Sequence, residues 1–223
     1  IKNELCETHS AFNSQLSIID RNAHRLLELV NQLLDFSKVQ QQGLLVNYDS
    51  CNIAELLTSV AERFAPSFHQ KGISFSVTYP PEDFVAVIDR EGITKVVSNL
   101  MSNALKYSRS LVKLDCSVNT VDNTFTIMVE DNGDGISKTD LKRIFNPFFQ
   151  ASDNKPGTGI GLSIVKQIVE QHHGTVNVVS EKGKGAKFII TLSDVINEKT
   201  DKNATTFECL PQKKLNEEIA QCD

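Results

Sequence analysis

The sequence predicts an α+β fold: a mixed, mainly antiparallel sheet packed on helices and preceded by a helix of a bundle. Three observations predict it. Segments of helical apolar period and segments of two-residue period succeed one another without the regular strand–helix–strand alternation of a parallel fold. Residues 111–119 and 124–130 both alternate and flank Asp122-Asn123, which reads as an antiparallel hairpin. Residues 16–39 carry a heptad seam ahead of the first strand.

The seam is built from Ile19, Ala23, Leu26, Val30 and Leu33, which step by four and three, and Leu16, Leu27, Leu34 and Phe36 widen it. A stripe this wide suits a helix bundle better than a two-stranded coiled coil. Packing on its own domain is the alternative; its position before a clear domain start favours a dimerising bundle. Gly43 ends the element, and residues 44–48 read as a short strand. Asn52 is a fitting N-cap for an amphipathic helix to about residue 70, closed by Gly72. Residues 73–79 alternate as a strand, Pro80 and Pro81 turn the chain, and residues 85–88 form the next strand. A helix over residues 90–107 and the hairpin follow. Ser137 then opens a short helix, with Asp140 in a near-capping-box position. Residues 146–158 form a loop rich in Pro, Asp, Asn and Gly. A second long helix over residues 160–172 stops at Gly174, and strands at 176–180 and 186–192 complete the domain. Residues 197–223 are polar apart from Phe207, Cys209 and Leu210, and read as a tail or linker.

Composition narrows the function. The 223 residues, 40% of them hydrophobic, suffice for one compact domain and something smaller. A net charge of -5 argues against a nucleic-acid-binding surface. The five cysteines are scattered and never in a Cys-x-x-Cys pair, so neither a disulfide framework nor a zinc site is expected, and a reducing cytosol fits best. No apolar run is long enough to span a bilayer, and no signal peptide is visible. The chain opens on Ile1, as expected of a piece of a longer protein.

Four motifs could carry chemistry. The first is N-L-M-S-N-A-L-K-Y, residues 99–107, where Asn99, Asn103 and Lys106 share one helix face. A core helix would place apolar residues there. The second is D-N-G-D-G-I, residues 131–136, at a strand end. Its glycines permit close backbone approach, and Asp131 could accept a hydrogen bond from an amine such as that of adenine; a plain turn fits the same letters. The third is I-F-N-P-F-F-Q, residues 144–150, either a core turn or an anchor for the loop behind it. The fourth is G-T-G-I-G-L-S, residues 157–163, opening a helix whose free N–H groups and dipole favour an anion. It is neither a dinucleotide fingerprint nor a Walker loop.

In this order the four motifs resemble the catalytic, ATP-binding domain of sensor histidine kinases. That domain has the Bergerat-type fold, an α/β sandwich shared with DNA gyrase B, heat-shock chaperone ATPases and mismatch-repair ATPases. The resemblance covers residues 44–192, and G-K-G-A-K-F at 183–188 adds a last glycine turn. Residues 18–38 are similar to the second helix of a kinase dimerisation and phosphotransfer domain, and read most like large hybrid kinases. The implied division is a partial dimerisation and phosphotransfer region at 1–43, an ATP-binding catalytic domain at 44–196, and a tail at 197–223. The resemblance implies that Asn103, with Asn99 beside it, ligates Mg2+, and that Lys106 and Tyr107 reach the phosphates. It implies that Asp131 takes the adenine amine while Gly133, Gly135 and Ile136 line the base pocket. Phe145 and Phe148 would anchor a lid over residues 146–156. Gly157, Thr158, Gly159, Ile160, Gly161 and Leu162 would meet the triphosphate. ATP and Mg2+ are the implied ligands. The implied partners are a second copy in the parent protein and the receiver domain of a response regulator, with no nucleic acid and no membrane contact by this segment. The implied setting is the cytoplasmic portion of an inner-membrane sensor.

Asn99 and the histidines sharpen this reading. Hydrolysing relatives carry a glutamate four residues before the metal-binding asparagine, where it activates water; an amide is no base near neutral pH. The resemblance therefore implies phosphoryl transfer to a nucleophile held elsewhere. That acceptor should be a histidine followed by an acid. His9, His24, His69, His172 and His173 are followed by Ser, Arg, Gln, His and Gly, so none fits. The acceptor helix is expected before Ile1, and dimerisation by one bundle helix is expected to be weak. His24 reads as a solvated helix residue. His172 and His173 read as helix C-terminal residues, where positive charge is favoured. Ala186 departs from the Thr or Ser common in relatives. The alternatives are a nucleotide-binding pseudokinase or interaction module, a gyrase-type ATPase, and a serine kinase acting on a partner protein.

Overall fold

The computed structural model of the chain describes residues 15–16, 19–20, 22–23, 26–27, 30, 34, 47–151, 157–193 and 195–196. The described residues between 15 and 34 are helical, and Leu16, Ile19, Leu26, Leu27, Val30 and Leu34 are all exposed. At these positions the seam does not pack on its own domain. His9, His24, Leu33, Phe36, Gly43, residues 152–156 and the tail at 197–223 lie outside the described residues.

Among the described residues the first strand is β1 (Asp49–Asn52), just beyond the strand expected at 44–48. Residues 44–46 lie outside the described residues, and Asn47 and Tyr48 are not in a strand. The difference has a physical cause. Strand β1 reads D-S-C-N, with one buried apolar side chain, Cys51, and so has almost no alternation to read. Its place is set by pairing with β3 (Val85–Ile88), where Asp49 faces Ile88 and Asn52 faces Val85. Asn52 then caps α1 (Ile53–Gln70), its side chain accepting the Glu55 N–H at 3.0 Å. Gly72, at φ 67, supplies the left-handed turn into β2 (Ser74–Thr78).

Asp89 caps α2 (Arg90–Tyr107) by accepting the Gly92 N–H at 3.1 Å. Buried Ile93, Val96, Val97, Leu100, Met101 and Ala104 recur at helical spacing, so one face of α2 is core and the other is left for Asn99, Asn103 and Lys106. Each larger member of that apolar face contributes about 1.5–3 kcal/mol of burial. The hairpin of β4 (Leu111–Asn119) and β5 (Thr124–Asp131) turns with Asn123 at φ 52. Ser137 caps α3 (Lys138–Leu141) as expected, accepting the Asp140 N–H. The chain continues through α4 (Gly161–Gln171), β6 (Thr175–Glu181), β7 (Gly185–Ser193) and β8 (Val195–Ile196).

The main sheet has the order β2-β4-β5-β7-β6. Its pairs are antiparallel except β2 with β4, which run parallel. A smaller antiparallel sheet has the order β1-β3-β8. The central strand β5 alternates strictly: Phe125, Ile127, Val129 and Asp131 are buried, with half-buried residues between them. Helices and sheet thus form the expected α+β sandwich around one core.

His172 departs from its expected role. It is 5% exposed, its Nδ1 lies 2.8 Å from the Ile168 carbonyl, and its Nε2 accepts the Asp89 N–H at 3.0 Å. The proton therefore sits on Nδ1, and the ring is a neutral bridge from the end of α4 to the cap of α2. Tyr48 stacks on it edge-on, with ring centroids 5.4 Å apart, and donates its hydroxyl to the Gln171 carbonyl.

Candidate functional site

Strand β5 determines the environment of Asp131. Two-residue alternation carries the buried face of the strand to its last residue, which is an acid instead of a hydrophobe. Asp131 is 9% exposed, its Oδ1 accepts the Gly133 N–H at 2.8 Å, and it pairs in register with Val112 and Ala186. Burial pushes its carboxyl above the ordinary carboxylate range, opposed by hydrogen bonds from the Gly133 and Ala186 backbone. A buried carboxylate with acceptor capacity left over is suited to a neutral amine donor.

The turn after Asp131 is packed backbone on backbone. A Cβ on Gly133 would collide with the Tyr107 carbonyl oxygen, so the turn rests directly on the end of α2. Gly135, at φ 64, lies against the Glu181 carbonyl, and Gly185, at φ 90, lies against the Asp131 carbonyl. Ile136 is half-buried and donates its N–H to Ser180 Oγ at 2.8 Å; that hydroxyl donates to the Gly185 carbonyl at 2.7 Å.

The amide face of α2 meets the glycine-rich segment. A Cβ on Gly161 would lie 2.7 Å from Asn99 Oδ1, and one on Gly157 would lie 2.6 Å from Lys106 Nζ. Asn99 Nδ2 donates to the Lys95 carbonyl, which aims the amide along its helix. Asn103, half-buried, lies between Asn99 and Lys106 on that face. Lys106 Nζ stands 4.8 Å from the Tyr107 ring centroid. Helix α4 begins without a side-chain cap, unlike α1, α2 and α3, and its first residue, Gly161, lies beside Asn99 on the amide face.

The remaining expected residues divide. Thr158 Oγ1 accepts the Ile160 N–H, and Gln150 Nε2 donates to the Gly157 carbonyl, shaping the approach to α4. Ile160 is 3% exposed and half-buried Leu162 packs on the core, so neither side chain projects freely toward a ligand. Phe145 likewise packs against the core. Phe148 is 61% exposed at φ 63, and the Phe148–Phe149 backbone lies against Gly159. A groove of about 630 Å³ opens there, lined among the described residues by Arg143, Asn146, Pro147, Phe148, Phe149 and Gln150, none of them on the amide face. Sequence reasoning missed Ser180 and Asn132 as supports of the Asp131 turn. Asn132 stood inside a quoted motif, and its residue type favours side-chain bonds to turn backbone.

Among the described residues, no helix is long and apolar enough to cross a membrane. Residues 88–196 match the family described as Histidine kinase-, DNA gyrase B-, and HSP90-like ATPase. The chain is 34% identical over 177 residues to the alginate biosynthesis sensor protein KinB of Pseudomonas aeruginosa, covering 79% of this chain and 30% of that one. It is 36% identical over 188 residues to hybrid signal transduction histidine kinase D of Dictyostelium discoideum, covering 79% of this chain and 12% of that one. It thus spans less than a third of either curated relative. Among solved structures, full-length ShkA in complex with AMPPNP superposes with a TM-score of 0.73 at 27% identity, covering 82% of this chain and 38% of that one. The Acinetobacter baumannii histidine kinase AdeS gives a TM-score of 0.62 at 27% identity, covering 82% and 83%. The buried strand-end acid, the amide helix, the uncapped glycine-rich helix start and these likenesses together identify the chain as carrying the ATP-binding catalytic domain of a sensor histidine kinase.

Proposed function

We propose that this chain binds ATP with Mg2+ and directs the γ-phosphoryl group to a histidine outside residues 1–223, in a two-component phosphorelay. The observation that supports this most is the placement of Asn99 against Gly161 and Lys106 against Gly157, at the uncapped start of α4. Asp131 would accept the adenine amine, with Gly133, Gly135 and Ile136 beside the base. Lys106, Tyr107 and the backbone of residues 157–162 would hold the phosphates, and Asn103 with Asn99 would hold Mg2+ through neutral amide oxygens. When bound, Mg2+ offsets the phosphate charge. The chain's own contribution is to orient and neutralise. Asn99 takes no proton, so nothing on this face activates water, which favours transfer over hydrolysis. The division into a bundle region at 1–43, a catalytic domain at 44–196 and a tail belongs to the same reading. So do a homodimeric, membrane-anchored parent with its kinase on the cytoplasmic side and a receiver-domain partner.

Calorimetric titration with a non-hydrolysable ATP analogue, with and without Mg2+, tests this. Binding should strengthen with Mg2+ and be lost in Asp131→Asn, at a cost of at least about tenfold in affinity. Labelled phosphate should then pass from ATP to an added histidine-bearing helix. No binding by the unsubstituted chain would overturn the proposal and favour a kinase-like interaction module.

A further inference from the structure

We infer that Asn132 is a positioning residue for the nucleotide: it locks the helix end carrying Asn103, Lys106 and Tyr107 to the strand end carrying Asp131. The inference rests on the ATP-site reading above and deepens it. Asn132 Oδ1 accepts three successive backbone N–H groups, from Arg109 at 3.3 Å, Ser110 at 3.0 Å and Leu111 at 3.0 Å. Its Nδ2 donates to Ser110 Oγ at 2.9 Å, and its own N–H donates to the Leu111 carbonyl at 3.3 Å. One half-buried side chain thus spends its bonds on the link between α2 and β4. Immediately beyond it, Gly133 lies flush on the Tyr107 carbonyl.

The other supports of the Asp131 turn face away from α2. Ser180 ties Ile136 to Gly185, and the Gly183 N–H donates to the Asp134 carbonyl at 2.7 Å. Arg109 also pairs with Asp134 at 3.3 Å, but both side chains are more than half exposed, and such a pair holds little. Asn132 thus makes four side-chain hydrogen bonds between the two halves of the site. A ligand that spans both halves gains the full sum of its contacts only when their separation is preset. The base should depend mainly on Asp131 and on the turn that Ser180 holds to Gly185; the phosphates, reached from α2, should depend more on the tie.

The test compares the unsubstituted chain with Asn132→Ala and Ser110→Ala, titrated with a non-hydrolysable ATP analogue plus Mg2+ and with adenosine. Asn132→Ala should weaken the ATP analogue about tenfold and adenosine less than about threefold. Ser110→Ala, which removes only the Nδ2 bond, should move the ratio the same way by less, and it keeps the question open to measurement if Asn132→Ala folds poorly. Combined with Lys106→Ala, Asn132→Ala should cost little more than Lys106→Ala alone. Equal weakening of both ligands, or lower thermal stability at unchanged affinities, would overturn the inference and leave the site reading standing. No nucleotide binding by the unsubstituted chain would overturn both.

Discussion

Asp131 carries a conflict between stability and binding. Its carboxyl closes the buried face of β5, where apolar side chains precede it, and burial raises its pKa. The folded chain therefore holds that proton more tightly than an unfolded chain does. The group's contribution to stability is fully present below the unfolded pKa and declines as pH rises from about 4 through the raised folded pKa. Asp131→Asn removes the titration and keeps an oxygen for the Gly133 N–H. In the absence of nucleotide, the melting temperature of the variant relative to the parent should rise across that window, while ATP affinity collapses. Melting curves taken from acid to neutral pH check this; parallel profiles would mean that Asp131 is solvated well enough to ionise at no cost. The letters D-N-G-D-G-I made an acid near glycines visible. The burial of that acid follows only from the register of β5 between β4 and β7.

At the scale of elements, the site depends on how α2 and α4 are joined. Both were legible in the sequence, because each repeats apolar residues at helical spacing over several turns. The hydrogen-bonded bridge between their ends was not, because it runs through His172, which reads in the sequence as one more polar residue at a helix end. The ring accepts the Asp89 N–H and donates to the Ile168 carbonyl, linking the cap of α2 to the last turn of α4. His172→Phe keeps an aromatic ring beside Tyr48 and removes both bonds. It should destabilise the chain by about 1–3 kcal/mol, the cost of leaving the half-buried Asp89 N–H without its partner, since the Ile168 carbonyl still accepts the backbone N–H of residue 172. Urea unfolding at neutral pH checks this, and an unchanged midpoint would mean that water replaces the ring. Strand β1 was not legible for a related reason: with Cys51 its single buried apolar residue, only pairing with β3 marks it as a strand.

For the whole molecule, the open question is what covers the N-terminal helix. Leu16, Ile19, Leu26, Leu27, Val30 and Leu34 are between 47% and 62% exposed. An apolar stripe of this kind marks an interaction surface, and a second copy of the parent is the partner proposed above. A single bundle helix per protomer, without the acceptor helix placed outside residues 1–223 above, supplies less contact than the roughly 1,200 Å² that stable interfaces bury. This chain should therefore sediment mainly as a monomer at low micromolar concentration. A tight dimer in analytical ultracentrifugation would show that one helix per protomer is enough. Leu26→Glu should leave nucleotide affinity unchanged, since that side chain lies far outside the site motifs.

The sequence by itself determined the element order from Asn52 to β7, the caps at Asn52 and Ser137, the antiparallel hairpin and the four motifs; β8, two residues long and marked only by pairing with β3, was not legible. These are local properties: periodicity, capping chemistry and turn residues act over a few neighbouring positions. Tertiary structure alone decided that Asn99 meets Gly161, that Lys106 meets Gly157 and that Tyr107 lies beneath Gly133. It also decided that Asn132 bonds to residues 109–111 and that His172 bridges Asp89 and Ile168. Such contacts join residues tens of positions apart, and their geometry is fixed by sheet register and helix packing, which no local pattern encodes.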